Sequence, residues 1–439
     1  MAKMSEHTSG PRASKLEAEQ VSVDMSAQVI VVGAGPAGSA TAAFLARYGI
    51  DVLLVEKSKF PRDKICGDGL TPRAVRMLNR LGVDTSEEAG WTHNVGLRVY
   101  GGRPEPFDMP WPELSSFPNY GMVCRREVFD DMLAGLAVSY GARLMTESRV
   151  DGPIYDKDGR VVGVKANGHE LRAPIVVGAD GISAKLATRM GIKRNPKRPM
   201  GVAVRAYYKS PLAESDWMIS HLELWDGKPG HSSLLPGYGW IFPAGDGVCN
   251  VGLGMLNSSP AFGNTNYKEL MGKWLASTDP EWGFSEDNQL CEIKGAGLPM
   301  AFNRKPHYRD GVLLVGDAGG MVSPFNGEGI DYAMEAAEIA AGCIVEAFGR
   351  GVGTDNAELA LRRYPQLMAD HVGGHFRLGT IFARLIGEPK IMHLCVKYGL
   401  PRPALMKLVH KMLANLTVDR GGNWADKLLT FLDKAVPSA

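Results

Sequence analysis

The chain reads as an α/β protein in which a Rossmann-like nucleotide-binding domain is interleaved with an antiparallel-sheet domain and followed by helices. Three features predict this. Val29-Ile30-Val31-Val32, a glycine turn, a helical stretch to about Tyr48 and Val52-Leu53-Leu54-Val55 form a strand–turn–helix–strand unit. Residues 90–120 and 200–300 are instead rich in short alternating runs, glycine, proline and aromatics, as in an antiparallel sheet. Helical periodicity returns after Gly329 and dominates residues 355–435, without an internal repeat.

The expected boundaries follow from these shifts. Residues 1–24 are a polar tail without hydrophobic period, read as disordered. A nucleotide-binding domain takes 25–90, 121–190 and 300–350, a sheet domain 91–120 and 191–299, and a helical region 351–439. At 439 residues the chain has room for two or three packed domains, and 45% hydrophobic with 22% charged residues suits a buried core.

Composition also excludes functions. A net charge of +1 gives no global attraction to nucleic acid, and no such partner is expected. No apolar run approaches the ~18–20 residues that cross a bilayer, and the first 24 residues lack the apolar stretch of a signal peptide. A cytoplasmic protein is therefore expected. The six cysteines form no C-x-x-C pair and the histidines show no metal-ligand spacing, so neither a disulfide framework nor a metal is expected. His371 and His375, one helical turn apart, read as a solvated helix face.

Gly33-Ala34-Gly35-Pro36-Ala37-Gly38 matches G-x-G-x-x-G between strand and helix. Gly33 makes the turn, Gly35 lets backbone reach a pyrophosphate, Gly38 permits close helix–strand packing, and the helix N-terminus at Pro36 and Ala37 offers free N–H groups. Glu56 ends the next strand 18 residues after Gly38, where its carboxylate can take ribose hydroxyls, with Lys57 beside it. This motif alone does not separate NAD from FAD.

Val312-Leu313-Leu314-Val315-Gly316-Asp317-Ala318 is an apolar strand ending in Gly-Asp, followed by Pro324-Phe325-Asn326-Gly327-Glu328-Gly329-Ile330-Asp331 and a helix. It resembles the G-D motif of flavoproteins with the para-hydroxybenzoate hydroxylase fold, also called the glutathione reductase type 2 fold. That resemblance implies FAD, with Asp317 at the ribityl chain and Gly329 and Ile330 at a helix end that favours the anionic reduced ring. Arg126-Glu127-Val128-Phe129-Asp130 is similar to the R-x-x-F-D element of the same proteins, implying that Arg126, or the adjacent Arg125, meets the FAD linker. Their D-G-x-x-S element is matched incompletely at Asp180-Gly181, with Ser183 one position early and Ala184 in the expected place.

Two further segments are more specific. Phe60-Pro61-Arg62-Asp63-Lys64-Ile65-Cys66-Gly67-Asp68-Gly69-Leu70 and, with one residue of slack, Pro236-Gly237-Tyr238-Gly239-Trp240-Ile241-Phe242-Pro243 resemble P-R-D-K-x-C-G and P-x-x-Y-x-W-x-F-P of the geranylgeranyl reductase family, flavoenzymes that saturate isoprenoid C=C bonds. The resemblance spans about residues 28–335. It implies Cys66, Gly67, Asp68 and Val150 beside the cofactor, and Cys66, Tyr238 and Trp240 as the catalytic set. With Ser220–Leu224 and Asn326–Tyr332 added, the order of segments is similar to the actinobacterial branch that reduces one isoprene unit of the menaquinone tail. Reduction of a geranylgeranyl lipid or chlorophyll precursor, and hydroxylation of an aromatic substrate on the same fold, are the alternatives.

An isolated alkene has no carbonyl to polarise it, so saturation needs hydride from flavin N5 and a proton from a nearby donor in a dry pocket. Tyr238, Trp240 and Phe242 share one face of a strand and form the expected wall. Cys66, Asp68 and Tyr238 are equally eligible proton donors. Gly295-Ala296-Gly297 reads as a turn without a third glycine or following helix, so no second nucleotide fold is present and an external electron donor must visit the flavin.

Leu405, Leu408, Val409, Met412, Leu413 and Leu416 fall on one helical stripe, with Lys407, His410 and Lys411 off it. Residues 371–434 hold ten Lys or Arg against four Asp or Glu. Together with a polyprenyl lipid substrate such as menaquinone, this predicts peripheral association with the inner face of the cell membrane. Arg73, after Pro72, reads as a surface residue or as a cation for a diphosphate substrate.

Overall fold

The computed structural model describes residues 25–103, 105–417, 427–429 and 431. The tail expected over 1–24 lies outside them.

Val29–Val32 and Val52–Val55 are unbroken β-branched and leucine runs, and every side chain in them is buried, as in a parallel sheet covered on both faces. They belong to a six-stranded sheet in the order Tyr308–Arg309, Val312–Leu314, Ile175–Gly178, Val29–Val32, Val52–Val55, Arg143–Met145. Val31 pairs with Val177 on one side and Leu54 on the other, all parallel. The chain therefore departs in opposite directions around Val29–Val32, and the crevice for a ligand opens at its carboxyl end.

Two alanine-rich helices cover this sheet. Pro36–Arg47 starts directly after the glycine turn, and Ile330–Gly349 packs alongside it through Ala333, Ala336, Ala337 and Ala340 in one core cluster. Small residues let the backbones come close. A Cβ on Gly316 would stand 2.9 Å from Ala37 Cβ and 3.3 Å from Ala333 Cβ, so the Gly-Asp turn is wedged between both helices.

A seven-stranded sheet forms the second layer, ordered Lys294–Pro299, Met200–Lys209, Val248–Leu256, Gly237–Pro243, Trp217–His221, Gly96–Tyr100, Phe107–Pro110. It departs from a purely antiparallel sheet at one place, where Trp217–His221 runs parallel to Gly96–Tyr100. The reason is the interleaving: between these strands the chain crosses into the six-stranded sheet and back, and a long crossover permits parallel pairing. The Gly295-Ala296-Gly297 segment is not a turn but the start of the edge strand Lys294–Pro299, paired with Val202 to Val204.

Helices Asp355–Arg362, Gly374–Ile386, Pro389–Leu394 and Pro403–Leu413 follow. Among the described residues no helix is long and apolar enough to cross a membrane. The last helix overturns the expected division of its faces. His410 and Lys411 are buried, whereas Leu405 is 41% exposed, because Leu405, Val409 and Leu413 face a cavity rather than a packed core. His375 is likewise buried against Phe325 and Phe376 instead of solvated, and burial pulls its pKa down to about 3. His371, half exposed, meets Glu335 at 3.0 Å.

Candidate active site

A cavity of about 840 Å³ lies where the carboxyl ends of the parallel strands face the seven-stranded sheet, and it extends under the C-terminal helices. The glycine turn forms one end. Gly33 has φ +98°, and a Cβ there would stand 2.6 Å from Ala179 O, so only glycine fits. A Cβ on Gly35 would instead point into open space, with the guanidinium groups of Arg126 and Arg62 the nearest atoms at 3.9 Å. That is a slot for an anion. Gly38, expected as a cofactor contact, does not reach the cavity: a Cβ there would stand 1.7 Å from Gly33 O, so its role is helix–turn packing.

Glu56 lies beside the slot, accepting the Ala34 N–H at 2.9 Å through Oε2 and the Ser58 N–H at 3.0 Å through Oε1. Arg62 Nη1 donates to Asp130 Oδ2 at 2.9 Å and reaches Glu56 at 3.5 Å through Nη2. Arg126, first residue of the helix Arg126–Ser139, donates twice to Asp130, at 2.7 and 2.8 Å, which fixes its fork over the cavity. Arg125 turns away to Asp246 and Glu127, so Arg126 is the arginine of this pair on the cavity wall. Asp317 faces Lys64 there; burial raises the carboxyl while Lys64 opposes it. Lys57, Val150, Gly329 and Ile330 also line the cavity.

Asp180 also lines the cavity, with Oδ1 unpartnered and only its other oxygen engaged in its own turn. Its Oδ2 accepts the backbone N–H groups of Lys185 and of Leu186, the latter at 3.2 Å, and opens the helix Lys185–Arg189. Ser183 bonds back to Asp180 O at 2.7 Å. Arg73 is neither at the surface nor free: it is buried, bonded to Glu335 at 2.8 Å and stacked over Tyr332 at 5.1 Å. Burial alone would raise Glu335, but Arg73, His371 and Arg76 hold its carboxyl at about 2.

The middle of the cavity joins the Cys66–Gly69 loop to the aromatic strand. Tyr238, Trp240 and Phe242 all line it, with ring centroids 6.0 and 6.3 Å apart. Gly67 lies under Trp240 and Gly69 under Phe242, where a Cβ would come within 3.4 and 3.1 Å of the rings. Asp68 between them has φ +65°, a conformation that Asp and Asn tolerate best among non-glycine residues. Its Oδ2 accepts from Tyr207 Oη at 2.6 Å and Asn250 Nδ2 at 2.7 Å, and its Oδ1 has no partner. Burial lifts its pKa to about 6 despite those bonds.

Two of the expected catalytic groups are otherwise engaged. Tyr238 Oη donates to Asn326 O at 2.7 Å, and burial raises its pKa further. Trp240 Nε1 donates to Asn250 Oδ1 at 2.9 Å, so Trp240 positions the residue that holds Asp68 rather than donating a proton itself. Cys66 lies beside Arg126; burial raises its thiol, which stays protonated, and its Sγ accepts the Asp68 N–H at 3.4 Å.

Sequence reasoning missed Arg62, Lys64, Tyr207, Asn250 and Glu328. Asn250 had a visible signal, a lone amide inside the apolar strand Val248–Leu256. Glu328, bonded by Thr71 and by Asn326 at 3.2 Å and raised by burial, had none beyond its place in the Asn326–Asp331 segment.

The profile of the FAD binding domain family matches residues 26–351. The chain belongs to that family. This FAD-binding protein is 36% identical over 411 residues to the menaquinone reductase of Mycobacterium tuberculosis, covering 93% of this chain and 96% of the relative. It is 35% identical to the menaquinone reductase of Mycolicibacterium smegmatis, over 91% and 94% of the two chains. Digeranylgeranylglycerophospholipid reductase 2 of Methanopyrus kandleri is 29% identical, over 88% and 93%. In fold, it matches a geranylgeranyl bacteriochlorophyll reductase-like protein from Thermoplasma acidophilum with a TM-score of 0.70 at 23% identity, over 93% and 96% of the chains. The fold expected from sequence and the FAD cofactor both stand. The open anion slot at Gly35 and the carboxylate of Asp317 suit the pyrophosphate and ribityl chain of that cofactor.

Proposed function

We propose that this protein saturates an isoprenoid C=C bond, with one isoprene unit of menaquinone as the substrate. The observation that carries this is the continuity of the cavity, which runs from the nucleotide slot past Tyr238, Trp240 and Phe242 to an apolar end at Met392, Val396 and Leu400. The names of the most similar relatives support the lipid, and they are reductases rather than hydroxylases.

Bound FAD supplies the hydride, after reduction by an external electron donor. The chain must supply the proton and exclude water. The aromatic wall and the Cys66–Gly69 loop do the second. Asp68 is suited to the first, with a pKa near 6, an unpartnered Oδ1 and an orientation fixed by Tyr207 and Asn250.

The lipid reaches this site from a membrane surface. Cys395 and Leu405 both line the cavity and face the exterior, so the mouth lies among the C-terminal helices. Around it, Leu385, Leu394 and Tyr398 are exposed, interspersed with exposed Lys390, Lys397, Arg402 and Lys407. Apolar side chains ringed by cations suit an anionic bilayer.

Lipid mass spectrometry on cells lacking and then expressing this chain tests the reading. A gain of roughly two mass units on the menaquinone tail is expected from one hydride and one proton. An unchanged quinone pool with new oxygen in another metabolite would overturn it.

A further inference from the structure

Charge on the cavity wall is confined to one end. Lys57, Arg62, Lys64, Arg126, Arg149 and Lys185 supply its cations, and all lie on the nucleotide side. Beyond Phe242, where residues 97–111, 218–222 and 382–414 make the wall, no Lys, Arg, Asp or Glu lines it among the described residues. A phosphate head group would lose its water there with no cation to compensate.

That wall still carries a polar group built into it. His410, on the helix Pro403–Leu413, is 4% exposed and its Nε2 has no hydrogen-bond partner. Among the described residues it is, with Ser220 and Cys395, one of three polar side chains on this wall, and the one with an unpartnered, sealed polar atom. A buried group left in that state has given up its bonds to water, a loss that a ligand can relieve. Burial pulls the imidazole down to about 4, so near neutral pH it carries one N–H and one lone pair. A half-turn of the ring exchanges each nitrogen with a ring carbon without changing its shape, so that Nε2 can stand where Cε1 does.

Beside it lies a flat apolar surface. The Trp111 ring is 5.0 Å from that of His410 and tilted by 37°. Its N–H is spent on Asn94 Oδ1 at 2.8 Å, which fixes the indole and leaves only its face to offer. Trp111 packs with Met218, and Phe242 rests on the same cluster. Met218 and Phe242 in turn stand over Gly69, next to Asp68. A ring seated on Trp111 is thus a few side chains from the proposed proton donor.

We propose that His410 and Trp111 form a head-group subsite that takes a neutral, flat quinone ring, with the imidazole N–H donating to a ring carbonyl and the ring lying against the indole. This rests on the isoprenoid-reductase reading and deepens it by naming the head-group chemistry.

The test measures binding of two probes to the oxidised holoenzyme: menadione, a naphthoquinone without a tail, and geranylgeraniol, a tail without a quinone. His410→Leu should weaken menadione about tenfold, the loss of one buried hydrogen bond, and leave geranylgeraniol within about twofold. His410→Gln, which restores an N–H donor, should recover most of the menadione affinity and guards against a folding defect. Equal weakening of both probes, or unchanged menadione binding, overturns the subsite. Menaquinone saturation by the unaltered protein is read separately, so the subsite can fail while the reductase reading stands.

Discussion

Tyr207 Oη donates to Asp68 Oδ2 at 2.6 Å, tying a strand of the seven-stranded sheet to the loop after Val52–Val55. Asn250 Nδ2 adds a second bond to the same oxygen and a third, at 2.8 Å, to Cys66 O. The two domains thus meet on one carboxyl group whose other oxygen is left for chemistry.

Asp68→Asn tests that assignment with little disturbance. Asparagine tolerates the left-handed backbone, and its amide oxygen can accept both existing bonds while its NH₂ takes the place of Oδ1. The variant should keep a full complement of FAD and lose roughly 10²–10⁴-fold in alkene reduction by the pre-reduced enzyme. Stopped-flow product quantification checks it, and undiminished reduction would remove Asp68 as the proton donor.

The same group makes stability depend on pH. Its folded pKa of about 6 lies above its ordinary 3.8, so between those values the folded state holds a proton that the unfolded state has released. Stability therefore falls as pH rises through about 4 to 6, and the penalty, on the order of 3 kcal/mol, is complete above that window. Asp68→Asn removes the penalty. Its melting temperature should gain on the unaltered protein between pH 4.5 and pH 7.5, and parallel melting curves at both pH values would contradict the assigned burial.

Much of this site was legible in the sequence because its parts are local. Gly33, Glu56 and Asp317 each end a strand of an apolar run, and Tyr238, Trp240 and Phe242 show their common face by period alone. What was hidden depends on contacts across the chain. Asp68 meets residues about 140 and 180 positions away, and Arg73 meets Glu335 across 262. For the same reason Arg73 and His375, which look solvent-directed in local pattern, prove to be buried partners of a distant helix. The last helix misled in another way: its apolar stripe marks a lipid-sized cavity, which periodicity cannot distinguish from a core.

The glycine turn separates folding from binding. Gly33→Ala should fail to accumulate as folded protein, since a Cβ there collides with Ala179 O in a backbone conformation that alanine avoids. Gly35→Val should fold, because the space is open, yet purify colourless, because its side chain occupies the slot between the Arg126 and Arg62 guanidiniums. Circular dichroism with flavin absorbance distinguishes the two, and a yellow Gly35→Val protein would displace the pyrophosphate from this turn.

Arg126 and Arg125 differ by one position and by their whole environment. Arg125→Ala breaks only half-exposed contacts at 3.5 and 3.8 Å, so flavin content and melting temperature should be unchanged within error. Arg126→Ala removes two of the three guanidinium bonds to Asp130, which is fully buried and keeps only Arg62 at 2.9 Å, so the loss is at most the ~3–5 kcal/mol of truncating one side of a buried pair. Instability alone would then lower flavin content, so the informative variant is Arg126→Ala combined with Asp130→Asn, which leaves no uncompensated carboxylate. That double variant should recover much of the stability and still bind FAD at least about tenfold more weakly, because one of the two cations facing the slot is gone. Isothermal titration of the refolded apoprotein with FAD decides it: restored stability together with restored affinity would reduce Arg126 to a structural partner of Asp130.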